Sequence, residues 1–150
     1  MIPEEIDGLP LEEIGENAFQ DAAKLKSVDI PSCVTTIGDR AFQGCISLEE
    51  TVLPEGLNSL GVYAFEDCTS LKSAWFLFGP SYIPEGAFKN CGALNDVHFS
   101  IAVTRFYMEY TIYAVRSTDI FYGCNLQDAA FASPAFPQRG EFLWKIAAVF

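Results

Sequence analysis

Positive charge is scarce in this chain. Its 150 residues hold 9 Lys and Arg against 20 Asp and Glu, a formal net charge of −11 with the single His neutral. Nucleic-acid recognition needs clustered Lys and Arg to displace counterions from phosphates, so that partner class is excluded. Anionic membrane surfaces are disfavoured on the same ground. A lone His supplies no His pair for a metal, and the sequence has no Cys-x-x-Cys. Gly61, Gly79 and Gly86 belong to no G-x-x-x-x-G-K phosphate loop, and no cofactor motif occurs. Also missing is a run of about 18 uncharged apolar residues, the length a membrane-spanning helix needs. The best approach to one, Ile101 to Val115, is interrupted by Arg105 and Glu109 and reads better as β structure. The N-terminal Met1-Ile2-Pro3-Glu4-Glu5 is acidic where a secretory signal would be basic, and no apolar segment follows.

What the chain has is repetition. Ile-Gly or its equivalent followed by Ala-Phe occurs at Ile14 to Phe19, Ile37 to Phe42, Leu60 to Phe65 and Ile83 to Phe88, each 23 residues after the last. Three positions beyond each Phe stands Ala22, Cys45, Cys68 or Cys91, and three further on stands Leu25, Leu48, Leu71 or Leu94. A fixed period of roughly 20 to 29 residues with Leu-rich, strand-like segments marks leucine-rich repeats. Within a coil, Lys24 to Ile30 alternates with Val28 and Ile30 on one side and Ser27 and Asp29 on the other, which is strand patterning. Pro31 and Pro54 close such strands because Pro donates no amide to a ladder. Gly15, Gly38 and Gly61 fall where the coil turns, and the expected reason is freedom to adopt positive φ. Ala-Phe-x-x-Cys predicts a short helical or 3₁₀ turn that drives the ring inward. Phe19, Phe42, Phe65 and Phe88 are then expected to stack at about 4.8 Å, the spacing of paired strands. A single coil buries too little to fold alone, so stability comes from neighbours.

The repeats resemble the BspA-like leucine-rich repeats, whose unit reads approximately L-x-x-V-x-I-P-x-x-V-x-x-I-G-x-x-A-F-x-x-C-x-x-L. Leu25 to Leu48 carries that pattern throughout. The resemblance covers residues 2 to 99 clearly and 119 to 131 weakly. It implies a surface-displayed or secreted binding protein, an adhesin toward host or matrix proteins being the usual type, with these repeats one stretch of a longer chain. Departures from the pattern are Ala22 for the first Cys, Pro84 for a turn Gly, and Leu77 to Tyr82, which lacks the Pro after the strand.

The expected fold is therefore an α/β repeat solenoid, a right-handed leucine-rich-repeat coil with a parallel β-sheet and short helical turns. About five coils of 23 residues are expected over residues 1–131, near 2–24, 25–47, 48–70, 71–93 and 94–126. The last holds an insertion at about 100–118, because Phe121-Tyr122-Gly123-Cys124 repeats Phe42 to Cys45 but follows Phe88 by 33 positions. Leu126 to Phe131 would be the next strand, and residues 132–150 a divergent cap. Twelve of the 21 aromatic residues lie after Leu94, as an apolar cap requires, and an uncapped end leaves self-association open. Ile2 to Leu11 reads as the second half of a coil, which favours a fragment of a longer protein.

The candidate chemistry is thin. Cys45, Cys68 and Cys91 are equivalent by repeat, so neighbours stand about 4.8 Å apart with parallel Cβ vectors, whereas a disulfide needs Cβ atoms converging to about 3.8 Å. Free thiols acting as small core residues are the better reading. Asp96, His98 and Ser100 share a strand face, but a spacing of about 6.6 Å between neighbours argues against a hydrolytic triad. No catalytic, cofactor-binding or metal-ligating residues are assigned. What remains is a surface. Outward strand positions form two columns: Ser27, Glu50, Ser73, Asp96 and Asp128, then Asp29, Val52, Trp75, His98 and Ala130. Trp with neighbouring His and carboxylates has the makeup of a binding hot spot. The sequence thus predicts a non-enzymatic protein-binding or adhesion module that contacts its partner through Asp29, Glu50, Ser73, Trp75, Asp96 and His98, without nucleic-acid binding or membrane insertion. The alternative is an architectural spacer or intracellular scaffold array with no ligand site of its own.

Overall fold

A computed structural model of the chain describes residues 2–77, 83–99 and 120–126. It opens with a small antiparallel hairpin, β1 (Glu5–Ile6) and β2 (Leu9–Pro10), paired Glu5 to Pro10 and Ile6 to Leu9. Asp7 and Gly8 form its turn with φ of 53° and 78°, the pair of left-handed residues a two-residue hairpin loop demands. The Asp-Gly pair was a legible hairpin signal, although the period-based reading makes this segment half a coil.

Two parallel sheets follow, both in steps of one repeat. β3 (Glu13–Ile14), β4 (Thr36–Ile37) and β6 (Ser59–Leu60) pair in register, Ile14 to Ile37 to Leu60. β5 (Glu50–Leu53), β7 (Ser73–Phe76) and β8 (Asp96–Phe99) form the larger sheet. In β5 and β7 exposure alternates residue by residue, with Thr51, Leu53, Ala74 and Phe76 buried. Pro54 ends β5 as expected. At the matching position Leu77 retains an amide, which reaches Leu53 O at 3.5 Å and carries the ladder one residue further.

The first expected strand is not formed. Lys24 lies in a turn and Leu25 to Ile30 carries no strand assignment, its bond to the next coil being Glu49 N to Lys26 O at 3.1 Å. A strand exists only as half of a ladder, and Ser27-Val28-Asp29 has weaker β preference than Ser73-Ala74-Trp75-Phe76.

The expected helical turns are not helices either. Asn17, Phe19 and Asp21 donate their amides to Asp39, Ala41 and Gln43 of the next coil, at 3.0, 2.7 and 2.7 Å. The intervening Ala18, Gln20 and Ala22 bond three residues back within their own coil. This alternation recurs at Arg40, Phe42 and Gly44 and at Tyr63, Phe65 and Asp67. Half of the amides therefore leave the segment, and a helix needs them all inside it. Two left-handed positions per coil enforce the pattern: Asn17, Arg40, Tyr63 and Gly86 form one column, and Asp21, Gly44, Asp67, Asn90 and Gly123 the other.

The core lies between the sheets and these turns. Phe42, Phe65 and Phe88 are fully buried, and the rings from Phe19 to Phe88 stack with centroids 5.1, 5.1 and 5.3 Å apart and planes within 6°. Phe121 extends the stack at 5.7 Å, so the chain returns to register after the insertion. Phe88 N to Ile120 O and Asn90 N to Tyr122 O, at 3.0 and 2.6 Å, confirm that return. The insertion itself, the strand expected at 127–131 and the cap at 132–150 lie outside the described residues.

Gly38 and Gly61 are glycine for a reason other than the expected one, since neither has positive φ. A Cβ on Gly38 would stand 2.6 Å from Glu16 N, and one on Gly61 would strike Gly38 and Asp39 backbone atoms. Close approach of adjacent coils, rather than turn geometry, excludes a side chain there. Pro84 occupies the fourth copy of this site, so the approach that excludes a side chain at Gly38 and Gly61 is not repeated in every coil.

Candidate functional site

The larger sheet turns its second face outward, and the 23-residue register decides what stands there. Glu50, Ser73 and Asp96 are aligned across β5, β7 and β8, as are Val52, Trp75 and His98. The structure thereby brings together five of the six residues expected to bind. Asp29 is exposed but lies in the unpaired segment before the sheet, and Asp128 and Ala130 lie outside the described residues.

At the centre, the Trp75 and His98 rings stack with centroids 3.6 Å apart and planes 10° apart. Trp75 remains 39% exposed and Val52 43%, so the column keeps an apolar rim open to solvent. His98 Nε2 lies 2.7 Å from Asp96 Oδ2, close enough for an ion pair, while that nitrogen lacks a well-aligned hydrogen bond. This corrects the sequence reading of the strand. The separation of about 6.6 Å holds for the backbone, but side chains lean along a strand and two of them close the gap. The contact positions the imidazole against Trp75. Ser100, the third member considered for a triad, lies outside the described residues.

Sequence reasoning missed a second surface, on the turns. Arg40 lies over the Tyr63 ring at 5.4 Å and Lys89 at 5.8 Å, while Tyr63 OH donates to Glu85 at 3.1 Å. That bond raises the Tyr63 phenol above its ordinary value. Gln20, Gln43 and Glu66 continue in a line, Gln20 Nε2 to Gln43 Oε1 and Gln43 Nε2 to Glu66 Oε2, each 2.6 Å. The signal was available, because all these pairs are one period apart or nearly so. They knit coils together with their polar groups already engaged.

The cysteines stand as free thiols with a structural task. Cys45, Cys68, Cys91 and Cys124 each donate to the carbonyl of the preceding coil's Phe, at 3.2, 3.2, 3.1 and 3.0 Å. Cys45 and Cys91 are pushed up, by their sulfur neighbours first and by burial second. Cys33 lies apart, 3.4 Å from both Glu4 O and Leu11 O. Among the described residues no cluster of three or more His, Cys, Asp and Glu is placed to hold a metal, and no helix is long and apolar enough to cross a membrane.

Parallel strands at a fixed period, a Phe stack and one outward sheet face define a leucine-rich-repeat solenoid. More narrowly, the chain belongs to the BspA-type leucine-rich repeat family, whose model matches residues 8–127 in six copies where about five coils were expected. Among solved structures, a leucine-rich repeat protein of T. pallidum is similar, with 37% identity and a TM-score of 0.60 over 68% of this chain and 48% of that one. A leucine-rich repeat protein of Eubacterium ventriosum is similar at 26% identity and a TM-score of 0.55, over 67% of this chain and 30% of that one. This chain thus spans less than half the length of either. No curated protein matches it. Leucine-rich repeats in general mediate protein–protein contacts without catalysis, and those of the BspA type commonly occur in bacterial surface or secreted proteins.

Proposed function

We propose that the chain is a non-enzymatic protein-binding module of a surface or secreted leucine-rich-repeat protein, with an adhesive role, and that its partner docks on the outward face of β5, β7 and β8. The observation that carries this reading is the Trp75–His98 stack. A large aromatic ring held rigid by a neighbour yet left open at its edge offers contact area at little entropic cost, which is the makeup of interface hot spots. Glu50, Ser73 and Asp96 beside it supply the polar border, and Asp29, one period before Val52, adds a carboxylate at the first-coil end of the Trp75 column.

The test is affinity for a partner recovered from the surface this protein meets, host or matrix proteins first. Trp75→Ala is expected to weaken binding by about tenfold or more, and Glu50→Lys by a smaller factor. Unchanged affinity in both variants would place the contact elsewhere, and absence of any partner for the intact chain would favour an architectural spacer.

A further inference from the structure

The outward face carries two rows of different chemistry. One row is Glu50, Ser73 and Asp96; the other, two residues further along each strand, is Val52, Trp75 and His98. Strand geometry sets the rows about 6.6 Å apart and members of a row about 4.8 Å apart. The acidic row is short of cations. Among the described residues Glu50 has no ion-pair partner and Asp96 meets only His98, at 2.7 Å, whereas Lys72 is drawn to Glu49 at 2.7 Å, and Arg40 and Lys89 lie over Tyr63 in the turns. The apolar row offers no slot for a flat ligand on the side of Trp75 facing β8, because His98 fills it at 3.6 Å. An exposed edge of indole remains, continued by Val52 and by Leu77 at the end of β7, which is 38% exposed.

Resting on the reading that this face is the binding surface, we propose that its partner is a basic amphipathic polypeptide segment, with apolar side chains against Val52 and Trp75 and Lys or Arg opposite Glu50 and Asp96. Charge complementarity sets the sign: residues 1–94 hold 15 Asp and Glu against 5 Lys and Arg, so an acidic segment is repelled along the whole approach. The two parallel rows set the pattern, since a segment lying across the strands meets carboxylates on one side and apolar surface on the other.

The experiment uses the full chain with Trp144→Phe, which leaves Trp75 as its only indole, and two synthetic amphipathic peptides of equal length, one of Leu and Arg and one of Leu and Glu. Binding is followed by Trp75 fluorescence and by calorimetry, with denaturant melts checking that each variant folds. The Leu–Arg peptide is expected to bind and to shift Trp75 emission. Glu50→Gln with Asp96→Asn is expected to weaken it by about tenfold, while Glu12→Gln with Glu13→Gln, an equal charge change around β3, leaves it within about twofold. Equal losses from both pairs would reduce the effect to net charge and overturn the proposal. Binding of the Leu–Glu peptide at Trp75 would overturn the basic partner but keep the face. Leu–Arg binding that Trp75→Ala does not alter would remove both readings. Self-association abolished by Trp75→Ala would assign the face to a second copy, and no response to either peptide would equally overturn the proposal.

Discussion

Gly86 has a φ of 64° and lies beneath the ring of Tyr63, so a Cβ there would meet both a left-handed backbone and that ring. The left-handed columns work in such pairs: Asp21 reaches over Gly44, Tyr63 over Gly86 and Asn90 over Gly123, while Asn90 Nδ2 donates to Asp67 Oδ1 at 2.9 Å. Gly86→Ala is expected to cost about 2 kcal/mol, read as a lower denaturant midpoint, because it strains φ and displaces Tyr63 from Glu85. Gly15 has no atom within 4 Å of its Cβ position and no positive φ. Gly15→Ala should therefore be neutral or stabilise by up to about 1 kcal/mol through the unfolded state. Thr51 is 1% exposed in the Val column of the repeat, and its Oγ1 lacks a partner among the described residues. Thr51→Val should raise stability by about 1 kcal/mol in the same melts, since it removes a buried, unpaired hydroxyl. The repeat made Thr51 legible as an inward residue. It could not show that the hydroxyl goes unpaired, because that depends on neighbouring coils.

At the scale of elements, the Phe stack and the two sheets are one device seen from different sides. Each Phe amide bonds to the next coil, each ring packs on the next ring, and each Phe carbonyl from Phe19 to Phe88 accepts the thiol of the following copy. Phe65 lies in the middle, stacked on both Phe42 and Phe88. Phe65→Ala is expected to cost about 3 to 5 kcal/mol and to loosen both neighbouring coils, measured by hydrogen exchange at the amides of Phe42 and Phe88. Losses confined to one coil would show that the coils fold independently. The inward set was legible because position in a 23-residue period fixes which side chains repeat. The turn type was not, since Ala-Phe-x-x-Cys suits a helical turn locally and only the amides taken by the next coil pull it into alternating left-handed geometry. The same limit hid the second small sheet of Ile14, Ile37 and Leu60, whose two-residue strands are too short to show alternation.

For the molecule as a whole, the net charge of −11 makes acid titration informative. Lys72 holds the Glu49 carboxyl below its ordinary value of 4.5, by hydrogen bond first and charge second. The folded state then binds fewer protons there than the unfolded chain, so this contribution is present above about pH 4.5 and lost as pH falls below it. Glu49→Gln should leave stability near neutrality little changed and flatten its acid decline, measured by denaturant melts across that range. The pair is exposed, so the effect is small and salt-sensitive.

The sequence by itself determined the repeat, its family, the residues that face the core and the alignment of Glu50, Ser73 and Asp96 beside Val52, Trp75 and His98. A fixed period forces equivalent residues into columns whatever the details of each turn. Tertiary structure alone decided that His98 stacks on Trp75 and meets Asp96, that Gly38 and Gly61 yield to a neighbouring backbone, and that the cysteines serve Phe carbonyls. Those outcomes depend on distances between coils, which no single repeat encodes.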